Sequence, residues 1–133
     1  MNPSIPILII DDSPHMRILM SRLLKKRNFD NVHAVEDGRI GLEKFQELSP
    51  RIVFLDGVMP KLDGLAVLRE IKKTVPATIV VITTSLSDRE RVLEFKQAGA
   101  DYYLLKPFED TKFDETLQKI KASLEETTAK GRS

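Results

Sequence analysis

Five short apolar runs alternate along the chain with longer segments in which apolar residues recur at every third or fourth position. The runs are rich in Ile, Val and Leu, as buried β-strands are, and lie at residues 5–10, 32–35, 51–56, 78–84 and 102–105. The intervening segments have the period of amphipathic α-helices. Because strand and helix alternate five times, the pattern predicts an α/β fold with a doubly wound, five-stranded parallel sheet and five helices.

Capping residues, prolines and a glycine set the predicted bounds of the helices. Ser13 followed by Pro14 is typical of a helix start, and Asp63 is placed to cap the third helix. Ser87 followed by Glu90 has the form of a capping box for the fourth. The second helix is expected to start at Glu36-Asp37-Gly38, and helix ends are marked by Pro50, Pro76 and Ala98-Gly99.

The apolar positions also predict which side of each helix faces the sheet. The second helix would bury Gly41, Leu42, Phe45 and Leu48, the third Leu65, Leu68, Ile71 and Val75, and the last Phe113, Leu117, Ile120 and Leu124. The last stripe ends before Thr127, so residues 127–133 are predicted to be a frayed tail.

Composition narrows the classes of function that this fold could serve. Of 133 residues, 21 are Lys or Arg and 20 are Asp or Glu, which leaves a formal net charge of only +1. So small a charge creates no field that would hold nucleic acid or an anionic membrane. The chain has no cysteine, and its N-terminal apolar run is far shorter than a signal peptide or membrane span. These features predict a soluble protein of the cytoplasm.

Three acidic residues stand where predicted strands end. The first run is followed by Asp11 and Asp12, and the third ends at Asp56. The first, third and fourth runs are the most apolar, so they are predicted to be central, which favours the strand order 2-1-3-4-5. That order places the two acidic strand ends side by side at the switch point, where sheets of this kind bind ligands. The three carboxylates are therefore expected to share one pocket.

Carboxylates so close together need compensating positive charge, because each raises the pKa of the others. Oxygen ligands without His or Cys favour Mg²⁺ or Mn²⁺ over zinc. A carboxylate beside such a cation can attack a phosphoryl group, which predicts Asp56 as a nucleophile. At the ends of the fifth and fourth strands, Lys106 is placed to pair with the phosphorylated carboxylate and Thr84 to donate to a phosphoryl oxygen, with Thr83 as the alternative by spacing.

These residues belong to a longer pattern. It consists of Asp11-Asp12, Asp56-x-x-Met59-Pro60-x-x-Asp63-Gly64, Thr84-Ser85 and Gly99-Ala100-x-x-Tyr103-x-x-Lys106-Pro107-Phe108. The pattern resembles the receiver domain of two-component response regulators, including the single-domain chemotaxis type, and the resemblance extends over residues 5–124. It implies a flavodoxin-like fold, and the strand order 2-1-3-4-5 rests partly on this resemblance. It also implies a receiver domain at residues 1–126 and a short tail at 127–133 without an output domain.

The resemblance also implies a role for each matched residue. Asp56 would be the phosphoacceptor. Mg²⁺ would be bound by Asp11, Asp12, Asp56 and the backbone carbonyl of Val58. The phosphoryl group would be contacted by Thr84 and Lys106, and the switch would consist of Thr84 and Tyr103. Structural roles would fall to Asp63, Gly64 and Pro107, with a cis peptide bond between Lys106 and Pro107.

The implied function is signalling rather than substrate turnover. A sensor histidine kinase or a histidine phosphotransfer protein would donate the phosphoryl group to Asp56, and the changed surface would bind a downstream protein. Neither nucleic acid nor a membrane is implied as a partner. Chemical activity would be limited to Mg²⁺-dependent self-phosphorylation from a donor and slow autodephosphorylation.

Two other functions use some of the same residues. A phosphohydrolase of the haloacid dehalogenase class also forms an aspartyl-phosphate, but its nucleophile follows the first strand as Asp-x-Asp, whereas this chain has Asp11-Asp12-Ser13. A degenerate receiver could act unphosphorylated as a scaffold, although every residue that transfer requires is present. For Tyr103 alone, ordinary packing on an outer strand is the alternative to a switch role.

Overall fold

The computed structural model describes residues 4–59, 63–85 and 89–131. The strands are β1 (Ile7–Ile10), β2 (Val32–Val35), β3 (Ile52–Asp56), β4 (Ile79–Ser85) and β5 (Tyr102–Lys106). The helices are α1 (Pro14–Lys26), α2 (Gly38–Leu48), α3 (Gly64–Thr74), α4 (Arg89–Gln97) and α5 (Asp110–Gly131). The predicted alternation of five strands and five helices is confirmed.

All strand pairings are parallel, and the order is β2-β1-β3-β4-β5, as predicted. Every residue of β1 and β3 is buried, which explains why these strands are continuous apolar runs rather than alternating ones. In β2, at one edge of the sheet, no residue is fully buried. Ile10 of β1 lies opposite Leu55 of β3, so the acidic residues that follow leave the sheet at the same level.

Side chains alternate between the two faces of the sheet, and each face has its own core. On one face, α1 and α5 pack on a cluster that contains Phe54 and Val81. On the other, α2, α3 and α4 pack on a cluster that contains Leu55 and Ile82. Strand residues two apart lie on the same face of the sheet. Asp56 is therefore on the face of Phe54, whereas Thr84 is on the face of Ile82.

Short polar side chains cap the helices where the sequence places them. The Ser13 hydroxyl accepts a hydrogen bond from the Met16 N–H at 3.3 Å, with Pro14 in the first turn of α1. Asp37 and Asp63 cap α2 and α3 in the same way, each through a carboxylate oxygen. The predicted capping box at Ser87 lies outside the described residues.

Besides shifts of one residue at the ends of β3, β4 and β5, three sequence-based boundaries or positions are wrong. Strand β1 begins at Ile7 rather than at residue 5. Val75, predicted to face the core, is 40% exposed, because it is the residue that ends α3 and its backbone has already left the helical conformation. Helix α5 continues to Gly131 instead of ending before Thr127. The apolar stripe does end at Leu124, but Glu125, Glu126, Ala129 and Lys130, which follow it, have high intrinsic helix propensity.

No helix in the described part of the chain combines the length and apolar character that crossing a bilayer requires.

Candidate functional site

The ends of β1 and β3 bring three carboxylates together. Oxygens of Asp11, Asp12 and Asp56 all lie within 4.8 Å of one another. Asp11 and Asp56 are almost fully buried, at 1% and 5% exposure, whereas Asp12 is exposed. The acidic pocket expected from the strand order is therefore present, and its cause is the parallel register of β1 with β3.

Lys106 supplies positive charge to this pocket from the end of β5. Its Nζ lies 3.0 Å from Oδ2 of Asp11 and 3.5 Å from Oδ1 of Asp56. The lysine thus reaches past β4, which lies between β3 and β5, to contact both buried acids. The peptide bond that follows, Lys106–Pro107, is cis, as the resemblance implied.

Backbone N–H groups fix the direction of both buried carboxylates. The Ser13 N–H donates to Oδ1 of Asp11 at 2.9 Å, and the Val58 N–H donates to Oδ1 of Asp56 at 3.1 Å. Each donor is two residues beyond its acceptor, which is the geometry of an Asx turn. The loops that begin at the strand ends therefore hold both buried acids.

The pKa of Asp56 is raised to about 7, chiefly by burial and also by the charge of Asp11 and a hydrogen bond with Asp12. The Val58 N–H and Lys106 act in the opposite direction without cancelling the effect of burial. Three carboxylates against one ammonium leave the pocket short of positive charge. A divalent cation fits this donor set, because its ligands are all oxygens and hard cations such as Mg²⁺ and Mn²⁺ prefer oxygen.

The raised pKa of Asp56 predicts a pH-dependent stability in the absence of divalent cations. An ordinary Asp has a pKa of about 4, so between about pH 4 and pH 7 the folded protein binds more protons than the unfolded chain. The contribution of Asp56 to the free energy of unfolding should therefore fall as pH rises through this interval. Asp56→Asn should remove that slope and stabilise the protein at pH 7 by up to about 4 kcal/mol, measured by urea unfolding. Asp63→Asn, which changes an exposed acid, should keep the wild-type slope; an Asp56→Asn variant with an unchanged slope would contradict the prediction.

Thr83 and Thr84, the two alternatives for the phosphate-contacting hydroxyl, lie on opposite faces of the sheet. Thr83 is the register partner of Asp56 and shares its face. Thr84 is on the face of Ile82 and Tyr103, and its Oγ1 is buried without a hydrogen-bond partner among the described residues. A buried hydroxyl without a partner typically costs about 1–3 kcal/mol, so Thr84 would gain from a new acceptor at the strand ends.

Tyr103 is half-buried and turned toward α4. Its hydroxyl donates to the backbone carbonyl of Val92 at 3.4 Å, and burial raises its pKa. Tyr103 packs on the core cluster of that face, one strand away from Thr84. The predicted switch residues are therefore neighbours, while the switch itself stays a prediction.

The Asp63-Gly64 pair lies at the start of α3, and the structural role that the resemblance implies for it stays a prediction. Asp63 is exposed and caps α3, and Gly64 begins that helix directly against the end of β3. A Cβ at Gly64 would lie 2.6 Å from the carbonyl oxygen of Asp56 and 3.2 Å from the Cα of Gly57. Both obstacles are backbone atoms of Asp56 and of the residue that follows it.

Gly64→Ala should therefore displace this loop and destabilise the protein. We expect a loss of about 2 kcal/mol in the free energy of unfolding, typical of overpacking against groups that cannot move aside, and a larger loss for Gly64→Val. Urea unfolding measures both. Wild-type stability in the alanine variant would show that the loop and α3 can separate without cost.

One contact at this site was not foreseen from the sequence. Arg91 of α4 pairs with the carboxylate of Asp63, and its guanidinium lies 5.3 Å from the ring centroid of Phe95. It also donates to the Gly57 carbonyl at 3.4 Å. The loop after Asp56 is thus held from α4 as well as from α3. No local motif marks an arginine that acts across 28 residues of sequence.

Comparisons with known proteins agree with this geometry. The profile of the response regulator receiver domain family matches residues 7–118. The chain is 31% identical to chemotaxis protein CheY of Thermotoga maritima over 114 residues, which cover 86% of this chain and 95% of that protein. It is 34% identical to CheY of Bacillus subtilis over 113 residues, which cover 85% and 94%.

Solved structures show the same fold. Chemotaxis protein CheY4 of Vibrio cholerae superposes with a TM-score of 0.80 at 27% identity, covering 87% of this chain and 98% of that one. The receiver domain of NtrX from Brucella abortus superposes with a TM-score of 0.79 at 30% identity, covering 85% and 95%. The likeness first indicated by short motifs therefore extends to nearly the whole chain.

Proposed function

The chain belongs to the response regulator receiver domain family, and on that premise we propose that it is a single-domain response regulator whose Asp56 accepts a phosphoryl group. The donor in this proposal is a phosphohistidine of a sensor histidine kinase or a histidine phosphotransfer protein, in the cytoplasm. The single-domain form is supported by the chemotaxis relatives, because the matched region spans 94–95% of their length.

The observation that carries the proposal is the position of Asp56. It is the last residue of a buried central strand, close to two further carboxylates and 3.5 Å from the ammonium of Lys106. An aspartate that only ends a strand would need no second buried acid beside it. It would also need no lysine from β5, which is separated from β3 by β4. The combination suits a carboxylate that must accept a doubly charged group.

In the proposed transfer, a carboxylate oxygen of Asp56 forms a bond to phosphorus while the bond from phosphorus to the donor nitrogen breaks. The imidazole of the donor leaves with the electron pair of that bond and takes a proton from water. The Val58 N–H holds one Asp56 oxygen in place, and Lys106 offsets negative charge on the acyl phosphate formed. Subsequent attack of water on the acyl phosphate returns free Asp56 and releases inorganic phosphate.

Asp11, Asp12, Asp56 and the backbone carbonyl of Val58 would hold Mg²⁺ in this proposal. When bound, Mg²⁺ would neutralise phosphoryl oxygens and align the transferred group. Asp11 is already committed to Lys106 and to the Ser13 N–H, so it supplies a rigid ligand. Asp12 is exposed and supplies a ligand from the solvent side of the pocket.

The proposed output is a change in the surface formed by α4, β5 and α5. A phosphoryl group on Asp56 would offer an acceptor to the buried hydroxyl of Thr84 and draw it toward the strand ends. Tyr103, on the same face, would then fill the space that Thr84 leaves. The phosphoryl group can shift the equilibrium between the two surface states only by the difference between its contact free energies in those two states.

Incubation with acetyl phosphate or phosphoramidate and MgCl₂, followed by intact mass measurement, tests the proposal. We expect one adduct of about 80 Da, mapped to the peptide that contains Asp56, and no adduct when EDTA replaces MgCl₂. Release of many equivalents of phosphate from a small ester without a stable adduct would indicate the phosphohydrolase instead. Absence of any adduct would leave the scaffold function.

A further inference from the structure

Arg17 reaches back from α1 to the acidic end of β1. Its Nη1 donates to the backbone carbonyl of Asp11 at 2.8 Å, across a separation of six residues. The side chain is half-buried, and neither the motifs nor the proposed transfer assigns it a role. The contact therefore connects the first helix to the turn that carries Asp11 and Asp12.

The other groups of Asp11 are held by different partners. Its N–H donates to the Val35 carbonyl at 3.1 Å, and its carboxylate accepts from the Ser13 N–H and pairs with Lys106. These contacts fix the strand end and the carboxylate of Asp11. The peptide that joins Asp11 to Asp12 is instead held, at its carbonyl oxygen, by Arg17.

That peptide controls where Asp12 points. The carbonyl of Asp11 and the nitrogen of Asp12 belong to one planar unit, so a fixed carbonyl direction also fixes the start of residue 12. Asp12 is exposed and thus has little packing of its own to order it. Its carboxylate nonetheless lies within 4.8 Å of the two buried acids, as shared coordination of one cation requires.

We propose that Arg17 is a positioning residue for the cation site, which it serves by holding the Asp11 carbonyl and thereby aiming the Asp12 carboxylate at the pocket. The inference rests on the proposed function, because it assumes that the acidic pocket binds Mg²⁺. Arg17 would touch neither the cation nor the phosphoryl group.

Positioning and simple charge predict opposite effects of removing Arg17. A positive charge near a cation site repels the cation, so its loss alone should tighten Mg²⁺ binding. Loss of a group that orients a ligand should weaken binding, and partners of metal ligands typically matter by tenfold or more. The direction of the change therefore separates the two explanations.

The experiment measures Mg²⁺ affinity from thermal unfolding of the full chain across a series of MgCl₂ concentrations. Arg17→Ala should bind Mg²⁺ roughly tenfold more weakly than wild type, and Arg17→Lys, which keeps the charge and one donor, should recover part of the loss. Arg22→Ala removes the same charge from an exposed position of the same helix and is the matched control. At saturating Mg²⁺, Arg17→Ala should regain the wild-type rate of self-phosphorylation.

The outcomes are distinguishable. Equal or tighter Mg²⁺ binding in Arg17→Ala than in Arg22→Ala would overturn the inference and leave the proposed function intact. A lower unfolding temperature with an unchanged Mg²⁺ midpoint would reduce Arg17 to a merely structural role and also overturn it. If Arg17→Ala does not fold, a wild-type midpoint in Arg17→Lys decides against the inference and a weaker one supports it. A wild-type protein that does not respond to MgCl₂ would remove the cation site and the inference together.

Discussion

Asp56→Asn is expected to abolish the gain of about 80 Da that the wild-type protein shows with acetyl phosphate and MgCl₂. A neutral amide is a far poorer nucleophile than a carboxylate, so the initial rate should fall by more than about 100-fold. Asp11 is a poor substitute, because it is 1% exposed and already bound by Lys106 and the Ser13 N–H. Intact mass measurement at several times after addition of the donor gives the rate.

The matched control for this experiment is Asp63→Asn. It removes the same charge from the loop that begins at Asp56, yet Asp63 is exposed and outside the carboxylate cluster, and asparagine also caps helices well. This variant should be phosphorylated at the wild-type rate. A normal adduct in Asp56→Asn would refute the acceptor assignment, and equal losses in both variants would point to a general effect of charge.

Asp12→Asn is expected to weaken Mg²⁺ binding by at least about tenfold while leaving the stability of the metal-free protein almost unchanged. Asp12 is the exposed member of the carboxylate cluster, so its replacement breaks no buried ion pair. Asp11→Asn is a less useful variant, because it would also disturb the contact with Lys106. The shift of the unfolding temperature across a MgCl₂ series, together with the Mg²⁺ dependence of phosphorylation, measures the effect.

Asp30→Asn serves as the control for Asp12→Asn, because it removes an exposed acid beyond the other end of α1, away from the carboxylate cluster. It should leave the Mg²⁺ midpoint where it is in the wild type. An unchanged midpoint in Asp12→Asn would exclude Asp12 as a ligand. The cation would then have to be held by Asp11 and Asp56 with the loop backbone.

The fold was predictable because its local signals agree with its packing. The central strands are buried on both faces and so are continuously apolar, which makes them visible without an alternating pattern. Ser13 and Asp63 cap the helices that they were expected to cap. The apolar pattern predicted the wrong position for Val75, which ends α3, and the wrong end for α5, which continues past Leu124.

The meeting of the acids was predictable for a topological reason. Once the strand order is known, parallel strands must deliver Asp11 and Asp56 to the same edge of the sheet. Lys106 follows the same logic, since it ends a strand of that sheet. The choice between Thr83 and Thr84 did not follow, because adjacent residues differ only in the face that they occupy.

By itself, the sequence determined the alternation of strands and helices, the caps of its helices and the acidic residues at the strand ends, because each depends on neighbours along the chain. Only the tertiary structure decided which hydroxyl lies on the face of Asp56, that Arg91 holds the loop behind it, and that Arg17 holds the Asp11 carbonyl. These contacts depend on side-chain direction and on distances between separate elements. A pattern of residue types does not contain that information.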